Sequence, residues 1–405
     1  MTKEQMAAYA YQNVPFYQNL ISDFPETFDK LPVITKEQML RDLGKNLAPE
    51  YMVDYMAGRL DRVLTSGSTG QCMSIYWDAA QQKKSLFPLW YLRKKYYGIM
   101  PEDKYCSFYT TRVTKGQCMD KVVHKQALSF SKQGLSESRL LVIYKELLAY
   151  EPAWILAQPS MVMLLIQTAE DHGLSAPCSV KYIELTGERI HKDTRKRIQD
   201  FFGCAAASQY GCYEANSIAY ECPQGNMHIM GSNVYVEILD DKNCPVRGGE
   251  GTVVITSLQN KVMPFVRYKI GDRGRMTAGM SCQCGNCSPM LELTKAREND
   301  MIVNPDGSRT HSDIFAHAVE MVNLAIENIV QYQIVQKNYG DFDVFLVLDE
   351  DEEEDATKEL LIQALRDFAK GKKFHFMLKD RLFPDERTGK LAWFQSEIID
   401  SGRMQ

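Results

Sequence analysis

The stretch Trp154-Ile-Leu-Ala-Gln-Pro-Ser160 opens the passage whose reading decides the fold. Its first four residues have the composition of a short buried strand, and Pro159 stops it. Ser160 is expected to cap an apolar helix that runs through Ala169. Val180-Lys-Tyr-Ile-Glu-Leu185 then repeats the strand pattern, and Asp193 to Phe202 repeats the helix, ending at Gly203. Upstream, Ser107-Phe-Tyr-Thr110 reads as a strand and Glu137 to Tyr150 as a helix. Strands alternating with covering helices imply a parallel sheet and an α/β core.

Further out, the period changes. Val234 to Leu239 and Gly251 to Thr256 alternate apolar and polar residues, split by Asp240-Asp241 and Gly248-Gly249. That pattern predicts antiparallel hairpin or small barrel-like β structure. Towards the N-terminus, Glu4 to Leu20 reads as helix broken at Pro15, and Thr35-Lys-Glu-Gln38 is a capping-box pattern. A helix beginning near Asp78 is expected to end at Gly98. Near residue 298 the pattern shifts again. A turn at Asn304-Pro-Asp-Gly307 precedes a helix around Phe315 to Val322, strands at Ile329–Val335 and Phe342–Leu348, a helix from Ala356 to Ala369 and a strand over Lys373–Leu378. The expected organisation is a large α/β domain over 1–298 and a small α+β domain over 299–405.

The net charge of −5 argues against a general nucleic-acid binder, which needs a basic face to neutralise phosphates. The polar N-terminus has no signal-peptide core, and no apolar run approaches the roughly 18 residues of a membrane span. Eleven cysteines without a secretion signal read as reduced thiols, some of them metal ligands. A cytoplasmic enzyme or binding protein acting on small molecules is the expectation, with no membrane or nucleic-acid partner.

Five short clusters bear chemistry. Thr65-Ser-Gly-Ser-Thr-Gly70 packs four hydroxyls and two glycines into six residues between strand-like flanks. Such a loop is either a flexible turn or a cradle for phosphate oxygens, built from hydroxyls and backbone N–H groups. It lacks the spacing of a Walker loop. Leu185-Thr-Gly-Glu188 and Ser208-Gln-Tyr-Gly-Cys-Tyr-Glu214 each place a glycine and a carboxylate at a strand end. Arg267-Tyr-Lys-Ile-Gly-Asp272 puts an acid past a turn, and Thr388-Gly-Lys390 puts a lysine on a loop. Singly, each also reads as a cap, a turn or a surface charge.

In order, these clusters resemble the adenylate-forming (acyl-CoA synthetase and ligase) superfamily, in its phenylacetate–CoA ligase-like branch. The resemblance runs from about residue 10 to residue 395, and Met263-Pro-Phe-Val-Arg-Tyr-Lys-Ile-Gly-Asp-Arg273 is its most specific piece. It implies that Thr65, Ser66, Gly67, Ser68, Thr69 and Gly70 hold the β- and γ-phosphates of ATP. Glu214 would hold Mg²⁺, and Asp272 would accept from the ribose hydroxyls. Gly187, Glu188, Tyr210 and Gly211 would line the adenine side, with Arg267 and Arg273 flanking it and Arg273 or Arg297 pairing with ribose or phosphate. Phe108, Tyr109 and Tyr210 would wall a pocket for a flat acid, although an aromatic core is the commoner explanation for such residues. Lys390 would neutralise charge during adenylation and leave when the small domain rotates about Asn299.

Three departures stand out. Gln71-Cys72 replaces the usual lysine and proline after the loop, Tyr213 stands where a threonine is usual, and Asn299 stands where an aspartate is usual. Independently, Cys222-Pro-Gln-Gly-Asn-Met-His228 and Cys282-Gln-Cys-Gly-Asn-Cys287 are two tight turns that suit a structural zinc. The expected ligands are Cys222, His228, Cys282 and Cys284, with Cys287 in reserve.

The expected function is ATP-dependent activation of a carboxylic acid, aromatic in the first instance, to acyl-AMP with release of pyrophosphate, then transfer to CoA. Two alternatives stay open: transfer to an amine or carrier-protein thiol, and a catalytically silent zinc-stabilised binding protein. The resemblance also admits a homodimer.

Overall fold

A computed structural model describes residues 1–41, 43–64, 73–109, 113–114, 117–118, 120–132, 135–188, 190, 192–277, 279, 281–295, 301–305, 309–326, 328–348, 353–383 and 391–398. The chain divides into two compact units, Met1–Thr294 and Lys295–Gln405. The boundary expected at residue 298 falls within 296–300, outside the described residues.

The first unit is built on a 12-stranded mixed sheet. Five strands at its centre run parallel: Ala205–Tyr210, Tyr182–Thr186, Trp154–Ala157, Tyr105–Tyr109 and Ala127–Ser131, in that spatial order. Helices Glu137–Tyr150, Pro159–Asp171 and Lys192–Phe202 alternate with these strands in sequence. The apolar residues of Pro159–Asp171 are buried almost all round, so this helix sits in the core rather than on it. Helix Ala79–Tyr97 has the two ends its sequence signals. Asp78 accepts from the Ala80 and Gln81 N–H groups, and Gly98 closes it at φ 67°.

Beyond Ala205–Tyr210 the sheet continues antiparallel through Ala219–Glu221, Met227–Ile229, Met290–Lys295, Tyr268–Thr277, Glu250–Ser257 and Val234–Leu239. The expected barrel-like region is therefore an extension of the large sheet, and no closed barrel forms among the described residues. Alternation along Val234–Leu239 and Glu250–Ser257 specifies antiparallel pairing, which an open extension satisfies as well as a barrel does. The N-terminal helices Lys3–Asn13 and Pro15–Gln18 pack on this extension, with Tyr17 donating to the Pro264 carbonyl at 2.9 Å. Met6, Phe16, Ile34, Trp77, Val236, Ile255 and Phe265 share that core.

Helix Pro159–Asp171 corrects one expectation. Ser160 is not its N-cap: Gln158 holds that position without a side-chain bond, and Pro159 is the first helical residue. Proline suits that place because its missing N–H would be unpaired there anyway. The Ser160 N–H and hydroxyl instead donate to Glu188, at 3.1 and 2.8 Å. A carboxylate from a neighbouring loop thus satisfies the helix start.

Arg267 belongs to the fold rather than to a ligand site. It is 2% exposed, forms a two-point pair with Glu237 at 3.2 and 3.1 Å, and donates to the Asp29 and Leu31 carbonyls. Burial raises the Glu237 carboxyl above its usual range, and Arg267 opposes that shift. Arg267→Met would leave Glu237 buried without its cation, and about 3–5 kcal/mol of stability should be lost. Urea unfolding measures this. The double variant Arg267→Met with Glu237→Leu should recover much of the loss, and failure to recover any would show that the pair is not the cause.

The second unit is α+β. Its four-stranded sheet has the order Lys373–Leu378, Asp341–Leu348, Ile329–Gln336, Phe394–Ser396. Helices Asp313–Ile326 and Glu354–Ala364 share a core with it that includes Phe315, Phe342, Leu361 and Phe394. Among the described residues of both units, no helix is long and apolar enough to cross a membrane.

Candidate active site

The central parallel strands end together at one edge of the sheet, where α/β folds bind ligands because the loops there diverge. Tyr109, Thr186 and Tyr210 are the last residues of their strands. Gly187 and Glu188 follow the second strand, and Gly211 to Glu214 follow the third. The structure thus gathers Phe108, Tyr109, Gly187, Glu188, Tyr210, Gly211 and Glu214 at one edge, although they span more than a hundred residues of sequence. Phe108 also packs on Phe130, with ring centres 6.0 Å apart.

The Tyr210–Glu214 turn is held from several sides. The Ile218 N–H donates to the Tyr210 carbonyl at 2.9 Å. The fully buried Asn233 amide donates to the Ala215 and Ser217 carbonyls at 2.7 and 2.6 Å. The indole of Trp77, on the strand that follows 65–72, donates to the Tyr213 carbonyl at 3.0 Å. Gly211 is required here, because a Cβ would stand 2.0 Å from the Asn216 carbonyl oxygen. A turn fixed by this many bonds presents its carboxylate at little further cost in entropy.

Glu214 is buried and accepts from the Tyr268 hydroxyl at 3.1 Å. Burial, then the Glu214 charge, push the Tyr268 hydroxyl well above its usual range, so it remains a donor. Tyr210 donates to Asp272 at 2.6 Å, which joins the strand end to the acid on Tyr268–Thr277. Asp272 and Glu214 are therefore linked to the same pair of strands, one by an outgoing tyrosine and one by an incoming tyrosine. The Arg273 guanidinium lies against Glu250 at 3.1 Å and Asp241 at 3.7 Å. Arg267, expected to flank this site, is the core residue described above. Residues 65–70, Arg297, Asn299 and Lys390 lie outside the described residues.

Sequence patterns do not reveal Trp77, Tyr268 and Asn233 as supports of this site. A buried indole or phenol needs a hydrogen-bond partner, and that is the signal available beforehand. The identity of the partner depends on the tertiary fold.

The second cluster lies on the antiparallel side. Donor atoms of Cys222, His228, Cys282 and Cys284 all lie within 4.8 Å of one another. The Cys222 and Cys282 sulfurs are 3.8 Å apart, and His228 Nε2 is 3.3 Å from Cys284 Sγ. His228 Nδ1 faces the Ser288 carbonyl at 3.2 Å. A carbonyl cannot donate, so Nδ1 carries the proton and Nε2 presents its lone pair to the sulfurs. The Cys284 N–H holds the Cys282 thiol down at about 6, while burial pushes the Cys222 thiol up to about 11. Cys287 is exposed and outside the four-residue set.

No protein-family model matches the chain. It is 20% identical to the protein CapK of Staphylococcus aureus over 401 residues, 96% of this chain and 86% of that protein. It is 27% identical to the phenylacetate–coenzyme A ligase of Thermus thermophilus over 218 residues, 52% of this chain and 47% of that one. Among solved structures, a 2-hydroxyisobutyryl-CoA ligase in the postadenylation state superposes with a TM-score of 0.76 at 16% identity, over 98% of this chain and 88% of that one. The fold is that of the adenylate-forming acyl-CoA ligases. In sequence the chain is similar to CapK along most of its length and to a phenylacetate–coenzyme A ligase over about half of it.

Proposed function

We propose that the protein is an ATP-dependent acid–thiol ligase that forms acyl-AMP and then an acyl-CoA thioester. The observation that carries this reading is the pair of bonds, Tyr210 to Asp272 and Tyr268 to Glu214, that ties both acids between the end of a parallel strand and Tyr268–Thr277. In the first half-reaction a carboxylate oxygen attacks the α-phosphorus of ATP, and the bond to the β-phosphate oxygen breaks, releasing pyrophosphate. In the second, the CoA thiol attacks the acyl carbon, gives up its proton, and AMP leaves.

Each residue has a role that its surroundings allow. Asp272, held by Tyr210, accepts from the ribose hydroxyls. Glu214, held by Tyr268, ligates Mg²⁺, which when bound offsets charge on the phosphate oxygens. Thr65 to Gly70 supply donors to the β- and γ-phosphates. Lys390, from the small domain, stabilises charge at the α-phosphate and withdraws for the second half-reaction, with Asn299 as the hinge. Phe108, Tyr109 and Tyr210 lie at the ends of two strands of the central sheet, and an aromatic acid is the substrate class proposed. Cys222, His228, Cys282 and Cys284 suit a structural zinc. Two thiolates on one tetrahedral ion with bonds of about 2.3 Å stand roughly 3.8 Å apart, and Cys222 and Cys282 have that separation. Four protein ligands leave no open position, so the metal takes no part in the reaction.

The test is product analysis by mass spectrometry with ATP, Mg²⁺ and a panel of aryl and aliphatic acids, with CoA, amines or neither. The expected products are acyl-AMP without acceptor and an aryl-CoA thioester with CoA. An amide in place of the thioester would overturn the acceptor.

A further inference from the structure

The Cys/His cluster sits at a seam of the large sheet. On one side, Ala205–Tyr210, Ala219–Glu221 and Met227–Ile229 form a continuous ladder. On the other lie Met290–Lys295 and its neighbour Tyr268–Thr277. Among the described residues the ladder across the seam is a single register pair, His228 opposite Met290, with the Ile229 N–H donating to the Pro289 carbonyl at 2.9 Å. The neighbouring ladder is longer: three pairs join Ala219–Glu221 to Met227–Ile229.

The four ligand residues divide evenly over this seam. Cys222 and His228 follow and occupy the strands on one side, and Cys282 and Cys284 lie in the turn that leads into Met290–Lys295 on the other. The end of helix Ala79–Tyr97 meets the same point: the Tyr96 hydroxyl lies 3.5 Å from Cys284 Sγ, and the Tyr97 hydroxyl donates to the Glu221 carbonyl at 2.9 Å. Tyr210 and Asp272 also stand on opposite sides of the seam, and their 2.6 Å bond requires the two sides to be in register.

We infer that a zinc ion bound by Cys222, His228, Cys282 and Cys284 staples the two halves of the sheet and thereby sets the distance between Tyr210 and Asp272 in the nucleotide pocket. The ion replaces the backbone bonds that the short seam lacks. Its binding energy is available to the folded state alone, because the unfolded chain has no preformed site. The four residues act as positioning residues for nucleotide binding. The inference rests on the reading of Tyr210 and Asp272 as nucleotide contacts, and the experiment separates the two.

Protein purified without chelator is assayed for zinc, for AMP affinity by calorimetry and for backbone hydrogen exchange, before and after chelation and after zinc is returned. About one zinc per chain is expected. Removing it should weaken AMP binding by about tenfold or more and speed exchange in Met227–Ile229 and Met290–Lys295 by a similar factor, with little change in Ile329–Gln336 of the second unit. Returned zinc should reverse both effects. Cys282→Ser should reproduce them, and Cys287→Ser should leave zinc content and AMP affinity unchanged. Absence of zinc overturns the inference, as does zinc whose removal changes neither seam exchange nor AMP affinity. Faster seam exchange with no AMP binding in either form would overturn the nucleotide reading instead, and the inference with it.

Discussion

Lys390→Ala is expected to slow acyl-AMP formation by on the order of 10²-fold or more, the scale of losing one preorganised electrostatic contact in a dry site. Charge accumulates between the attacking carboxylate and the α-phosphate in that half-reaction alone. A thiol attacking an acyl-AMP already made draws no help from a cation placed at the phosphorus, so thioester formation from supplied acyl-AMP should stay within about threefold of the unmodified protein. Single-turnover assays of the two half-reactions make the comparison. Equal loss in both would show that Lys390 does not act at the adenylation step alone, and would remove the reason for the small domain to rotate.

Glu214→Gln should have an effect of similar size by a different route. The carboxylate is buried and accepts from the Tyr268 hydroxyl at 3.1 Å. Glutamine keeps the shape and an acceptor oxygen, so the turn held by Trp77, Asn233 and Gly211 should survive and the unfolding midpoint should barely move. The lost charge is the one proposed to hold Mg²⁺. Pyrophosphate release at saturating ATP should fall by about 10²-fold, and the Mg²⁺ concentration giving half the maximal rate should rise. A variant with the unmodified rate and Mg²⁺ dependence would show that Glu214 serves only to anchor Tyr268.

Features whose causes are local in sequence are legible before the structure is known. Asp78 and Gly98 mark both ends of helix Ala79–Tyr97 because an N-cap and a left-handed C-cap are properties of single residues. Thr35 and Gln38 exchange the expected capping-box bonds for the same reason. Ser160 misleads because its partner, Glu188, lies 28 residues away and reaches it only once the parallel sheet has formed. The barrel-like expectation for Val234 to Thr256 misleads because alternation specifies antiparallel pairing and one buried face, not closure. Arg267 reads as a site residue from its motif, yet its guanidinium meets Glu237, Asp29 and Leu31, which no local pattern connects. The Cys/His turns are legible as metal ligands from spacing, whereas their position on a seam depends on the strand order.

The central claim is that this chain joins a carboxylic acid to AMP. Isotope exchange between labelled pyrophosphate and ATP tests it most directly, since exchange requires reversible acyl-AMP formation and needs neither CoA nor any other acceptor. Label should enter ATP only when Mg²⁺ and an acid substrate are present, with aromatic acids the most effective, and Glu214→Gln and Lys390→Ala should each suppress it. The absence of exchange with every acid of a broad panel, in zinc-replete protein that binds AMP, would contradict the claim.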